Sequence, residues 1–264
     1  MSEPVDLHCV VAGPGDGPPV LLAGSLGSTL AMWDAQVAAL SARGRRVIAL
    51  DHRGHGRSPA PPGPYAIEDL GGDALALMDR LGLRHAAYVG LSIGGMVGQW
   101  LAVHAPERLS ALVVVCSSAH LEPADPWRER AAAVRAAGSP EIVADAVVAR
   151  WFTSSWAADH PEEVVRCRAM IAATSAEGYA GCCEAIAGHD VRAGLPEVRV
   201  PTLVIGGAQD LSIPAEHSVA IAAAVPGARL EILDPAAHLP SIERADAVTS
   251  LIDDHLRTGV RVDE

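Results

Sequence analysis

Short apolar runs return along the chain at regular intervals: "HCVVAG", "VLLAG", "RVIALD", "AAYVGLS", "ALVVVCS", "TLVIGG" and "RLEILD". Most are apolar throughout rather than alternating, the pattern of strands buried on both faces of a sheet. Between them, helical periodicity predicts helices over Ala31–Arg43, Ile67–Leu81, Gly95–His104, Pro214–Val225 and Ile242–Leu256. Strand and helix in alternation predict an α/β fold: an open, mainly parallel sheet with helices on both faces. The rhythm breaks once. From His120 to Asp190 the pattern offers only helices, in "PWRERAAAV", "IVADAVVARWF", "EEVVRCRAMIAA" and "EGYAGCCEAIAG". The expected organisation is therefore a core in two parts, residues 1–119 and 191–264, with a helical cap at 120–190. An insertion at the carboxyl ends of the strands would roof the crevice where such sheets bind ligands.

Composition narrows the partners. With 20 basic against 32 acidic residues the formal charge is −12, and no basic stripe exists, so nucleic acid is not expected. No apolar run has the length to cross a bilayer, so no membrane is expected. The opening "MSEPVDLHCVVAG" is short and acidic, unlike a secretory signal, and leads to the expectation of a cytoplasmic protein. Every basic residue is arginine; with no lysine, Schiff-base chemistry is excluded. Cys9, Cys116, Cys167, Cys182 and Cys183 lack zinc-ligand spacing, so they are expected to be reduced and mostly buried. Oligomeric state is open between monomer and homodimer.

One turn carries chemistry. Gly90-Leu91-Ser92-Ile93-Gly94 fits G-x-S-x-G, follows the strand-like "AAYV" and opens a helix. That setting is a nucleophile elbow, where the serine occupies a strained backbone conformation and residues two positions away must lack bulk. The alternative is an ordinary tight turn whose serine caps the helix. A serine nucleophile needs a base and an orienting acid, which in this architecture follow in the order acid, then histidine. "TLVIGG" ends in "AQD", placing Asp210 at a strand's carboxyl end, with Asp234 as the fallback on the next strand. "RLEILD" leads into "PAAH", placing His238 in the following loop. His52 and His55, in the glycine-marked "DHRGHGRS", read as structural; His120 and His189 border the insertion and are candidates to line the site. His8, His85, His104, His160, His217 and His255 fall in segments read as surface. Oxyanion donors are expected from the amides of Ile93, the residue after the nucleophile, and of Leu26 in "GSLGSTLAMWDAQV".

Gly90–Gly95, the "DHRGHGRS" turn and the "GAQD…AAH" ending resemble the α/β-hydrolase superfamily over nearly the whole chain. "SLGSTLAMWDAQVAAL", "GLSIGGMVGQWLAVHAPERL", "RWFTSSW" and "RCRAMIAATSAEGYAGCCEAI" resemble more narrowly the 3-oxoadipate enol-lactonases of bacterial aromatic catabolism. The resemblance implies an α/β-hydrolase fold and a carboxylic ester hydrolase. It implies a triad of Ser92, Asp210 and His238, oxyanion amides on Leu26 and Ile93, and no cofactor or metal. It also implies a cap tryptophan and arginine near the substrate's carboxylate, which map onto Trp127 and Arg130 in "PWRER". The sequence departs from the family at Gly24, where a polar residue is more usual, and at "HLPSIE" after the histidine.

The implied substrate is a small anionic lactone approaching an acidic protein, so a local cation must hold its carboxylate. Without lysine that cation must be arginine, which suits bidentate carboxylate recognition. Arg128, Arg130, Arg135, Arg150, Arg166 and Arg168 lie in the cap; Arg130 and Arg150 sit beside tryptophans in "PWRER" and "RW", so Arg150 and Trp151 join the candidates. Rival readings keep the triad for another small ester or lactone, a carbon–carbon bond hydrolase or a cofactor-free perhydrolase. A hydrolase-fold ligand-binding protein is the rival from outside the enzymes.

Overall fold

The structure, a computed structural model, describes residues 2–258; the other ends of the two expected core segments lie outside the described residues. Seven strands form one sheet: β1 (Cys9–Ala12), β2 (Pro19–Ala23), β3 (Arg46–Leu50), β4 (Ala86–Leu91), β5 (Leu109–Val115), β6 (Thr202–Gly207) and β7 (Arg229–Leu233). Their order is β1-β3-β2-β4-β5-β6-β7. Only β1 runs antiparallel to its neighbour; every other pairing is parallel. All seven apolar runs are strands. β4 and β6 are buried at every position, as continuous apolar runs require. The edges differ: Val10 and Val11 of β1 and Ile232 of β7 are exposed, because an edge strand has one flank with nothing to pack against.

Eleven helices complete the described chain: α1 (Asp34–Ala42), α2 (Ile67–Arg80), α3 (Ile93–His104), α4 (Asp125–Ala137), α5 (Glu141–Val148), α6 (Ser154–Asp159), α7 (Pro161–Ala173), α8 (Ala176–Gly188), α9 (Ala215–Ala224), α10 (Pro240–Glu243) and α11 (Ala245–Thr258). Two predicted helices are divided. The stretch from Ala31 opens as a 3-10 turn, Leu30–Trp33, where the Ala31 amide donates to the Thr29 hydroxyl before α1 begins. The stretch from Ile242 breaks at Arg244, which leaves helical geometry between α10 and α11.

Helices α4 to α8 all fall between β5 and β6 and add no strand to the sheet; a single bridge between His120 and Asp190 joins the two borders of this segment. α4 packs on α8 and α5 on α7. Local rules set their ends. Pro161 begins α7, Gly138 in the left-handed region closes α4, and the Ser175 hydroxyl accepts from Gly178 N at the start of α8. α6 is short and leaves no periodic signature, so the pattern does not reveal it.

Candidate active site

Ser92 stands between β4 and α3 with φ 57° and ψ −118°, a left-handed backbone that only a constrained turn holds. A Cβ on Gly90 would lie 2.1 Å from the Gly94 carbonyl oxygen, and one on Gly94 would lie 2.4 Å from that of Ala23. The glycines are there because the turn crosses itself and the neighbouring strand at backbone distance. Three hydrogen bonds pin it: Ser92 N donates to Val115 O at 2.9 Å, Gly94 N to Gly24 O at 3.2 Å and Ser117 Oγ to Ser92 O at 2.7 Å. Among the described residues Ser92 Oγ has no hydrogen-bond partner; it faces the cavity at the positive end of α3.

Asp210 sits just beyond β6, its side chain fully buried. One carboxylate oxygen accepts from Ser212 N at 2.7 Å and Ile213 N at 2.9 Å; the other lies 2.8 Å from His238 Nδ1. The aspartate therefore fixes the imidazole with Nδ1–H toward itself, leaving Nε2 for the cavity that His238 shares with Ser92. Asp234 is exposed and outside that cavity. No hydrogen bond yet joins Ser92 to His238, and contacts of this kind tighten when substrate fills the site.

The loop after β2 has its amides committed on either side of Leu26. Ser25 N donates to Met32 Sδ at 3.4 Å and Gly27 N to His55 Nε2 at 2.9 Å. Among the described residues the amides of Leu26 and Ile93 have no protein acceptor, and Leu26 lines the cavity. Two histidines hold this loop from behind. His52 Nε2 donates to Gly24 O at 3.2 Å, and His55, accepting at Nε2, turns its Nδ1–H to Arg53 O at 3.1 Å. Both are buried, which pushes His52 down to about 3 and lowers His55, so both stay neutral as these roles require. The departure at Gly24 has a steric reason: a Cβ there would meet Ser28 Oγ at 2.6 Å and Met32 Sδ at 2.7 Å.

One cavity opens over the β4–α3 turn. Ser92, His238 and Leu26 meet Trp127, Arg130, Arg150 and Trp151 around it, with Tyr179 and Ile213 among the other walls. Asp210 and Ile93 stand immediately behind. His120 and His189 do not line the cavity, and His255 is buried rather than at the surface, its Nε2 against Pro201 O at 3.2 Å. Of the six cap arginines four have carboxylate partners: Arg128 with Asp125, Arg135 with Glu177 and Glu184, Arg166 with Glu163, and Arg168 with Glu141 and Asp145. Arg130 instead lies over the Trp127 ring at 4.7 Å, and Arg150 donates to the Ala146 carbonyl at 3.2 Å. Among the described residues neither has a carboxylate partner, and both face the cavity.

Two residues escape sequence reading. Glu243, buried behind the site, accepts from Ala237 N at 2.9 Å and from the backbone and hydroxyl of Thr153. Leu239 N donates to Trp151 O at 2.9 Å, so both neighbours of His238 are tied to the cap segment that carries Arg150 and Trp151. Tyr179, inside "EGYAGCCEAIAG", reaches the cavity from α8. The helical pattern marks Tyr179 as apolar filling, and nothing local marks Glu243. Among the described residues no group of three or more His, Cys, Asp or Glu is placed to hold a metal ion.

A seven-stranded sheet with a strained serine at the β4–α3 turn and an Asp–His pair beyond β6 and β7 defines a serine hydrolase of the α/β type. The chain belongs to the alpha/beta hydrolase fold family, whose model matches residues 18–245. Within that family it is 38% identical over 252 residues to 3-oxoadipate enol-lactonase 2 of Acinetobacter baylyi, covering 96% of this chain and 93% of that protein. It superimposes on the crystal structure of the enol-lactonase from Burkholderia xenovorans LB400 with a TM-score of 0.92 and 41% identity, over 96% of this chain and 97% of that one. It is also 32% identical to a putative carbamate hydrolase RutD of Variovorax paradoxus, over 90% and 91% of the two chains.

Proposed function

We propose that this protein hydrolyses 3-oxoadipate enol-lactone to 3-oxoadipate, as part of the bacterial breakdown of aromatic compounds. The observation that carries the reading is the pair Arg130 and Arg150, free of carboxylate partners and facing the same cavity as Ser92 and His238. A cation left unpaired at the wall of a pocket in a chain of charge −12 fits an anionic substrate, and arginine suits its carboxylate. The names of the two enol-lactonase relatives agree.

His238 Nε2 takes the proton of Ser92 as Oγ attacks the lactone carbonyl, and Asp210 stabilises the imidazolium. The amides of Leu26 and Ile93 receive the oxyanion; each such donor is worth about 2.7–4 kcal/mol of barrier. The carbonyl–ring oxygen bond breaks, His238 returns the proton to the departing enol oxygen, and the enol becomes the ketone. Water, activated by His238, then releases the acid from Ser92. The chemistry needs no cofactor. Trp127 orders Arg130 by stacking, and Trp151 closes the apolar side of the ring site. Residues 120–190 act as the cap over this reaction, and the five free thiols suit a reducing cytoplasm.

The test is steady-state hydrolysis of the enol-lactone by the wild type and Arg130→Ala. Turnover by the wild type with KM raised about tenfold or more in the variant supports both activity and clamp. Turnover indifferent to Arg130 moves the clamp to Arg150. No turnover, with an aryl acetate still cleaved, overturns the substrate and leaves a hydrolase for other small esters or carbamates.

A further inference from the structure

Tyr179 is fully buried in α8, and among the described residues its hydroxyl has no hydrogen-bond partner. Among the described residues several buried polar side-chain atoms share that condition, but Tyr179 is the one whose residue lines the catalytic cavity. Its ring edge comes so close to the loop carrying Leu26 that a Cβ on Gly27 would lie 3.2 Å from Tyr179 Cε2. The guanidinium of Arg130 approaches the hydroxyl without completing a hydrogen bond, and Arg150 stands near enough to act on it electrostatically. Burial nonetheless pushes the phenol up, so it remains a neutral O–H donor at every working pH.

A buried hydroxyl without a partner destabilises the free protein, so it is retained where something else supplies the acceptor. Here the missing acceptor has to enter the cavity, and two unpaired arginines favour an anion at the same place. We propose that Tyr179 is a specificity-determining residue whose hydroxyl, with Arg130 and Arg150, receives the carboxylate of the substrate. The inference rests on the anionic substrate proposed above. Three donors around one carboxylate satisfy both of its oxygens, and the hydroxyl adds what a guanidinium alone does not. A neutral substrate leaves the O–H orphaned, so the site discriminates against it.

Tyr179→Phe deletes one oxygen and keeps the packing. The probe is adipate, a dicarboxylate with the chain length of the product, as competitive inhibitor of phenyl acetate hydrolysis. The expected result is an inhibition constant about tenfold weaker in Tyr179→Phe, the loss of one charge-assisted hydrogen bond. The thermal midpoint should stay level or rise, because an orphaned group has been removed. Equal inhibition of both proteins, no inhibition of either, or a lowered thermal midpoint overturns the proposal. The lactone assay separates this from the function. Tyr179-dependent adipate inhibition in a protein that does not open the lactone keeps the carboxylate subsite and rejects the substrate.

Discussion

At the scale of single residues, the proposed function depends on groups left without partners among the described residues. Ser92, Leu26, Arg130 and Arg150 line the cavity, with the Ile93 amide just behind it, while the amides on either side of Leu26 are committed. Ser92→Ala removes the proposed nucleophile alone. Its kcat should fall by about 10⁴-fold or more, with the urea midpoint within error of wild type. Turnover comparable to wild type would transfer the nucleophile to another group. Ser92, Asp210 and His238 were legible because each sits at a position that strand ends and chain order define. Arg130 was named through the family resemblance, and the absence of lysine only limited the cation to an arginine. Tyr179 and Glu243 were not, since what each does depends on partners remote in sequence: Glu243 meets Thr153, 90 positions away. His52 and His55 could be read as structural, but that they brace the loop carrying Leu26 follows only from contacts 28 positions apart.

At the scale of elements, the interiors of strands and helices follow from apolar periodicity, whereas their breaks follow from contacts. The divided helix at Arg244 and the short α6 are cases of the second kind. Adjacent glycines in α2 show how packing overrides propensity. A Cβ on Gly71 would lie 2.3 Å from the Trp100 ring on α3, while one on Gly72 would meet nothing within 4 Å. Helix propensity alone treats the two alike. Gly72→Ala should therefore stabilise the protein by about 0.5–1 kcal/mol. Gly71→Ala should destabilise it by about 2 kcal/mol or more, since α2 must move off α3 to admit the methyl group. Urea denaturation of both variants reads the difference directly. Equal shifts for the pair would mean that the α2–α3 contact is looser than its geometry states.

At the scale of the whole molecule, the apolar runs reveal a parallel sheet but not the order of its strands, which depends on where each crossover lands. The same burial that closes the fold sets its response to acid. Burial holds His52 down to about 3 and His189 down to about 4, and lowers His55 and His255 as well. In the unfolded chain these groups titrate near the ordinary value of about 6.5. Between about pH 6.5 and 4 the unfolded chain thus binds protons that the folded chain refuses, and stability must fall as pH falls through that window. His120 acts in the opposite sense, raised first by its hydrogen bond to Glu122, but Glu122 is exposed and the pair contributes little. Carboxylates held low by arginine, such as Glu177 and Asp145, withdraw their contribution only at lower pH, as the unfolded carboxyls begin to protonate. Urea midpoints at pH 7.5, 6.0 and 5.0 should therefore decline steadily before carboxylate titration begins. His189→Leu, which removes a buried nitrogen without a partner, should make that decline shallower. A midpoint that is flat or rises on acidification would mean that these histidines gain access to water in the folded protein, and with it that the bracing of the loop carrying Leu26 is not dry.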